Sequence, residues 1–215
     1  KPTIKTDNQI LEIANVIEQI HFASIVHDDV VDECNFRRDK PTYHYKSSNR
    51  KAILYGDYLF SNASYKIASL ENTEVSKSMS QILMDLSLGE LNQLENYFNI
   101  DYTQEDYLDK SFKKTACMFA ESMRMCSLIT NIEYENDLYE FGKNFGMLYQ
   151  IVDDNLDYSG SNELIKKSPG QDLNNGIITL PLIEALKDPE MKRIFIRYNK
   201  TRHIHFYERL FKLIN

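Results

Sequence analysis

Ile10–Asp32 reads ILEIANVIEQIHFASIVHDDVVD, and its pattern decides the fold. Ile10, Ile13, Ile17, Ile20 and Ser24 recur at the spacing of one helix face and lead straight into Asp28-Asp29-Val30-Val31-Asp32. Residues four apart on a helix share a face, so Asp28 and Asp32 lie together with Asp29 beside them. The same DDxxD pattern returns at Asp153-Asp154-Asn155-Leu156-Asp157. Three carboxylates on one helix face repel one another, and folding alone gives no reason to place them there. A hard divalent cation gives one. Mg²⁺ takes oxygen ligands, keeps several waters, and binds one or two carboxylates while phosphate oxygens fill the rest. Two such faces turned toward each other would cage a di- or triphosphate carrying several Mg²⁺. One copy arises by chance in roughly one chain of ten, and two in well under about one in a hundred, which favours a paired site over solvated acidic faces.

Outward from these motifs, breakers are scarce. The chain has Gly 7 and Pro 5, with no proline between Thr42 and Ser168, which favours long helices. The spacing predicts helices over Asn49–Leu70 and Thr73–Phe98. A third runs from Thr103 to about Thr130, opened by the capping-box-like Thr103-Gln104-Glu105-Asp106. Tyr134–Tyr158 carries the second acidic motif, and Ile177–Leu186 resumes helix. Ser159–Gly176, rich in Ser, Asn, Gly and Lys, reads as a loop and a candidate lid. No period-two strand pattern is long enough to stand. The fold class is therefore all-α: one domain over 1–215, a bundle of long antiparallel helices around a central cavity. The flanks of the two acidic motifs do not align, so they are two sites on one fold rather than an internal repeat.

Composition narrows the function. A hydrophobic share of 42% suffices for a core, and the net charge of −7 argues against nucleic acid, which demands a basic face. Cys34, Cys117 and Cys126 have no C-x-x-C spacing and read as free thiols of a reducing intracellular compartment. No run of about 18 apolar residues offers a transmembrane segment.

Basic residues cluster near the acidic ones. Arg37-Arg38 follow the first motif, Lys113-Lys114-Thr115 interrupts an apolar helix, and Lys166-Lys167 sits after the second motif. Arg clamps phosphate oxygens bidentately and Lys binds them as a point charge, so this placement fits a diphosphate site. His21 lies two helical turns before Asp28. Glu18 to His21 is a single Glu-x-x-His without the second copy that a carboxylate-bridged di-iron bundle needs, no P-loop or G-x-S-x-G elbow is present, and His203 and His205 are assigned no site.

These residues together resemble the trans-isoprenyl diphosphate synthases, or polyprenyl synthetases. His21 to Asp32 is similar to the family's first aspartate-rich motif with its lead-in, and Arg37-Arg38-x-Lys40-Pro41-Thr42 to the stretch that follows it. Gly56-Asp57-Tyr58-Leu59, Gly89-Glu90-Leu91, Lys114-Thr115 and Tyr149 to Tyr158 are further matches, as are Pro169 to Leu173 and Gly176 to Pro181. The resemblance runs from about Ile10 to Leu186. The family's upstream Gly-Gly-Lys-x-x-Arg-Pro motif is absent, its C-terminal helices look short or missing after Leu186, and Ile177 stands where the family usually has Lys.

The resemblance implies head-to-tail condensation of an allylic diphosphate with isopentenyl diphosphate by a homodimer. It implies about three Mg²⁺ per site, with Mn²⁺ as a substitute. Asp28, Asp32 and Asp153 would be the chief ligands, and Asp29, Asp154 and Asp157 further ligands or their support. Arg37, Lys114, Gln150 and Lys167 would hold the allylic diphosphate, and His21 and Arg38 that of isopentenyl diphosphate, with Thr115 lining the site. The small Ala23 and Ser24, one turn before Asp28, would leave room for a long-chain product, roughly C20 or longer. A class I terpene cyclase or head-to-head synthase, or a non-catalytic subunit of a heterodimeric synthase, is the alternative. Those usually vary or lose one acidic motif, and this chain keeps both.

Overall fold

The computed structural model describes residues 4–130, 133–159 and 170–214. Helix α1 spans Ile4–Val31. Its core-facing stripe is Ile13, Val16, Ile20, Ala23 and Val26, all buried, at the three-and-four spacing of an amphipathic helix. The partner is α3 (Asn49–Ala68), which buries Ala52, Gly56, Leu59, Ala63 and Ile67 and is opened by the Ser48 side chain accepting from the N–H of Lys51. Gln19 fastens the pair, its amide donating to the Leu59 carbonyl at 2.7 Å and to Asn62 Oδ1 at 3.0 Å. Each fully buried aliphatic side chain contributes roughly 1.5–3 kcal/mol.

Between α1 and α3 the chain forms a small ribbon that no strand periodicity announced. β1 (Phe36–Arg37) pairs antiparallel with β2 (Lys40–Pro41), and the short α2 (Tyr43–Lys46) follows. The ribbon's turn is Arg38-Asp39, with φ of 50° and 62°. Two positive φ values suit a two-residue hairpin, but on side-chain-bearing residues they carry strain of about 1–2 kcal/mol each.

Helix α4 (Thr73–Glu95) starts where Asn72 Oδ1 accepts from the N–H groups of Glu74 and Val75, both at 3.1 Å. The expected capping box is present: Thr103 accepts from the Asp106 N–H and Asp106 accepts from the Thr103 N–H, opening α5 (Gln104–Ser111). The stretch expected as one uniform helix changes character at Phe112–Ala116, a π-helical turn, before α6 (Cys117–Thr130). Helix α7 (Glu135–Ser159) carries the second acidic motif.

Two short helices follow: α8 (Gln171–Asn175) inside the expected loop, and α9 (Leu180–Ala185). Helix therefore resumes at Leu180 rather than Ile177. Gly176 at φ 81° closes α8, Thr179 is extended, and Pro181 sits inside the first turn of α9. The remainder of the expected lid, residues 160–169, lies outside the described residues. Beyond Leu186, a stretch the sequence reading treats as short or missing, lie α10 (Pro189–Thr201) and α11 (Ile204–Ile214). Asp188 caps α10 by accepting from the N–H groups of Glu190 and Met191. Met191, Ile194, Phe195 and Tyr198 supply its buried face.

The all-α class is what the structure shows, the two-residue strands aside. The chain divides into two compact units, Lys1–Met84 with Met118–Gly142, and Asp85–Cys117 with Lys143–Asn215. The first is built on the α1–α3 pairing. The second has its own core, centred on Tyr107, Leu173, Leu182, Phe195 and Leu210. Among the described residues no helix is long and apolar enough to cross a membrane.

Gly142 tests the first unit's packing. A Cβ there would stand 2.5 Å from the carbonyl oxygen of Phe119 and 3.0 Å from Ala120 Cα. Both are backbone atoms that cannot rotate aside, so Gly142→Ala is expected to cost about 1–3 kcal/mol. A thermal melt should fall by several degrees, and an unchanged melt would show that α6 and α7 are not held that closely.

Candidate active site

The first acidic motif occupies the last turns of α1, and that last turn holds no basic residue. The peptide dipoles concentrate negative potential there, which adds to the mutual repulsion of the carboxylates. Glu33, at φ 51°, ends the helix. The three aspartates do not share one environment. Asp29 is buried, 5% exposed, and its Oδ1 accepts from Arg37 Nε at 2.8 Å. Asp28 is half-buried and Asp32 exposed. Arg37 thus ties the strained ribbon back to α1. Burial works against its cation, but the hydrogen bond and charge of Asp29 outweigh it and raise the Arg37 pKa. Arg38 is exposed at the ribbon's tip.

The residues preceding this motif separate by face. Ala23 is fully buried in the α1 stripe, while Ser24, partly exposed, donates its hydroxyl to the His21 carbonyl at 2.9 Å. Ile13 and Ile20 belong to the core. His21 itself is exposed.

The second motif lies in the last two turns of α7, again with no basic residue in the last turn. The middle carboxylate is once more the buried one. Asp154, 4% exposed, accepts from the Tyr107 hydroxyl at 2.7 Å through one oxygen and from Gln150 Nε2 at 2.7 Å through the other. Burial raises its pKa, opposed by Lys110 and by those two donors. Burial and then the Asp154 charge push the Tyr107 hydroxyl up, which keeps it a donor. Asp153 is exposed. Asp157 accepts from the backbone N–H groups of Gln171 and Asp172 at 3.2 and 3.0 Å, fastening α8.

Two expected substrate residues meet here. Thr115 Oγ1 donates to Gln150 Oε1 at 2.5 Å, so Lys114-Thr115 and Gln150 belong to one cluster with Asp154. Lys114 Nζ is 2.6 Å from Glu90 Oε2. Lys167 lies outside the described residues.

Several residues of this cluster escaped the sequence reading. Gly89 and Glu90 stood there only as part of a resemblance. Structurally, Gly89 lets α4 approach the π-helical turn, since a Cβ would meet Lys114 N at 2.8 Å and Lys113 C at 3.1 Å. Glu90 is thereby within reach of Lys114. Tyr107 and Lys110 give no signal beyond apolar-face spacing. The π-helical turn is invisible in composition, yet such turns frequently mark functional positions.

Among the described residues no three His, Cys, Asp or Glu side chains converge as a finished metal cage. The donor chemistry still suits Mg²⁺, which needs only one or two carboxylates beside water and phosphate. A cavity of about 350 Å³ near Glu184, Asp188 and Met191 contains none of the expected site residues and is not the site.

Comparison with known proteins decides the family. The polyprenyl synthetase family matches residues 3–213. The chain belongs to that family. It is 43% identical over 185 residues to solanesyl diphosphate synthase 1, chloroplastic, of Arabidopsis thaliana, covering 85% of this chain and 46% of that protein. Its fold matches a decaprenyl diphosphate synthase of Rhodobacter capsulatus with a TM-score of 0.88 at 30% identity, over 94% of this chain and 64% of that one. It also matches a polyprenyl synthase of Caulobacter crescentus, complexed with calcium and isoprenyl diphosphate, with a TM-score of 0.86 at 28% identity, over 94% and 64%. The chain thus spans about half the length of the curated relatives it matches. Both DDxxD patterns, Asp28 to Asp32 and Asp153 to Asp157, lie inside the matched span.

Gly89→Ala tests the approach of α4 to the π-helical turn. Backbone atoms of Lys113 and Lys114 must give way, so stability should drop by about 1–3 kcal/mol. Denaturant melts measure this. A variant as stable as the parent would show that the turn tolerates a wider spacing and that Gly89 is not what places Glu90 beside Lys114.

Proposed function

We propose that the protein is a Mg²⁺-dependent prenyltransferase that condenses isopentenyl diphosphate head-to-tail with an allylic diphosphate, releasing diphosphate and making a long-chain polyprenyl diphosphate. The observation that carries this reading is the division of labour inside each acidic motif. One aspartate is buried and bonded within its own unit, while Asp28 and Asp32, and Asp153, are more exposed at helix ends that already favour a cation. The long-chain names carried by the relatives support the same direction for the product.

In this reading Asp28, Asp32 and Asp153 would hold Mg²⁺, with Asp29, Asp154 and Asp157 behind them. Bound Mg²⁺ supplies Lewis-acid neutralisation of the departing diphosphate. Arg37, Lys114, Gln150 and Lys167 take the oxygens of the allylic diphosphate, and His21 and Arg38 those of isopentenyl diphosphate. Lys114 exchanges Glu90 for a diphosphate oxygen; as a flexible point charge, lysine can change partners where a bidentate arginine would not. The allylic C–O bond breaks, a C–C bond forms to the terminal carbon of isopentenyl diphosphate, and the proton then lost passes to the released diphosphate. The homodimer belongs to the same proposal.

Asp28→Ala and Asp153→Ala should each lower turnover by about a hundredfold or more, matching the several kcal/mol a metal supplies. Their melts should hold or rise slightly, because like-charge pairs are relieved. In the same melts an alkyl bisphosphonate should stabilise the parent by about 2.7 kcal/mol at a hundred times its Kd, and only with Mg²⁺ present. A well-folded Asp28→Ala protein with normal activity, or equal stabilisation in EDTA, sinks the metal reading.

Product length has its own test. Ser24 lies one turn, about 5–6 Å along the axis, before Asp28 and on its face, whereas Ala23 is packed in the core. Ser24→Phe should therefore shorten the product while sparing the first condensation, as chromatography of the dephosphorylated products would show. An unchanged distribution places the stop elsewhere. Ala23→Phe should instead destabilise the fold by about 1–3 kcal/mol through overpacking.

A further inference from the structure

The proposed mechanism uses His21 but not His27, which stands immediately before Asp28. His27 is half-buried, and its ring lies against one face of α3. Its Nε2 is 3.0 Å from the Ile53 carbonyl oxygen and 3.5 Å from Asp57 Oδ1. A carbonyl only accepts, so Nε2 carries the hydrogen and donates it. Phe60 meets the ring edge-to-face, with 5.4 Å between centroids. The floor of this seat is Gly56. A Cβ there would stand 2.5 Å from His27 Cδ2 and 2.8 Å from Cε1, and closer still to Nε2. Ile53, Gly56, Asp57 and Phe60 follow at three- and four-residue spacing, so they form one ridge of α3 with a notch in it. All of these residues belong to the first compact unit.

The last turn of α1 needs such a tie. It begins at Asp28, and there the carboxylates repel one another while the peptide dipoles oppose them all. Helix ends also fray, because their last carbonyls have no partner in the helix. Arg37 fastens Asp29 to the ribbon. His27 fastens the same turn to α3, the helix on which α1 packs. Gly56 differs here from Gly89 and Gly142, where backbone atoms crowd the missing Cβ. At Gly56 the crowding atoms belong to one imidazole ring, so a side chain added there displaces His27.

We infer that His27, seated in the Gly56 notch, is a positioning residue that sets Asp28 for Mg²⁺ by fastening the last turn of α1 to α3. This inference rests on the proposed reading of Asp28 and Asp32 as Mg²⁺ ligands. Partners that hold a ligand without touching the metal are worth about 10–100-fold in metal affinity. The role separates from plain packing because the ring's bulk and its donor can be removed independently. Glutamine carries its Nε2 the same number of bonds from the backbone as histidine does, and keeps an N–H for Ile53. Methionine fills the space and has no donor.

The test compares the parent, His27→Gln, His27→Met, Gly56→Ala and the double variant His27→Met/Gly56→Ala. Each is melted in EDTA, and again with an alkyl bisphosphonate across a Mg²⁺ series, which gives the Mg²⁺ concentration for half of the full stabilisation. His27→Met should melt within several degrees of the parent in EDTA, as the loss of one half-buried hydrogen bond predicts. It should nevertheless need about tenfold more Mg²⁺. His27→Gln should keep the parental requirement. Gly56→Ala reaches the same contact from α3 and should raise the requirement to a similar extent, which keeps the test open if His27→Met does not fold. The double variant should add no further rise, because both changes break one contact. A parental Mg²⁺ requirement in His27→Met or in Gly56→Ala would make His27 a packing residue only and overturn the inference. So would a His27→Gln protein as demanding as His27→Met, or effects that multiply in the double variant. A parent that the bisphosphonate does not stabilise, or stabilises equally in EDTA, would instead overturn the metal reading itself, and this inference with it.

Discussion

Both acidic motifs occupy the last turns of long helices, where the aligned peptide dipoles already leave about half a negative charge. Neither last turn contains a lysine or arginine. A carboxylate at that end is disfavoured by about 0.3–1 kcal/mol, and each like-charge neighbour on the same face adds about 0.2–0.5 kcal/mol. Summed over three aspartates, each motif is a standing electrostatic cost of a few kcal/mol, a sizeable part of an ordinary domain's stability of roughly 5–15 kcal/mol. The surrounding structure works as the partial offset of that cost, and the part left over is what a divalent cation can use.

The offset is applied to one aspartate in each motif, by different means. Asp29 is met by a full positive charge, Arg37, at hydrogen-bond distance. Asp154 is met by two neutral donors, Tyr107 and Gln150. The first arrangement recruits the ribbon: because Arg37 sits one residue before the turn, the ion pair helps hold Arg38 and Asp39 in positive-φ conformations that side-chain-bearing residues resist. The second recruits α5 and the π-helical turn, and it sets the direction in which hydrogens point along Gln150 and Thr115. Burying the middle residue of the pattern keeps its first member, and in α1 also its last, nearer the surface.

How much of this was legible beforehand differs by level. The capping box at Thr103 and the span of α3 follow from local rules that the sequence displays directly, whereas the α1 spacing announces a helix but sets its face at Ile10, Ile17 and Ser24, which are only half-buried, in place of Val16, Ala23 and Val26. The acidic motifs were legible because like charge at helical spacing has no folding rationale. What was not legible depends on contacts distant in sequence. Nothing near Gly89 says that its missing side chain makes room for the backbone of Lys114, beyond the next helix. Nothing near Tyr107 or Lys110 points to Asp154. The small residues Ala23 and Ser24 looked equivalent, and only the packing of α1 on α3 separates them, because adjacent helical positions point about 100° apart. The helices after Leu186 have the apolar spacing of Met191, Ile194, Phe195 and Tyr198 in plain view, but the resemblance ends at Leu186 and no helix was read beyond it.

Asp157 marks where reading a motif as a ligand set stops. It matches the last position of the pattern, as Asp32 does, and four-residue spacing puts it on the face of Asp153. Yet its two oxygens accept from consecutive backbone N–H groups at the start of α8, and its own carbonyl accepts from the N–H of Gly170. A carboxylate has about four lone-pair positions, and two of them serve these backbone bonds. Its counterpart Asp32 is exposed just past the end of α1, where its N–H continues the helical ladder to the Asp28 carbonyl at 2.8 Å. The two copies of one sequence pattern are therefore unequal. The copy on α1 ends in an exposed carboxylate, Asp32, and the last carboxylate of the copy on α7 holds the chain that follows. In the proposed reaction that asymmetry assigns more of the metal ligation to the first motif. To the second it assigns one exposed ligand, Asp153, beside a pre-set group of Gln150, Thr115 and Lys114 that meets the diphosphate directly.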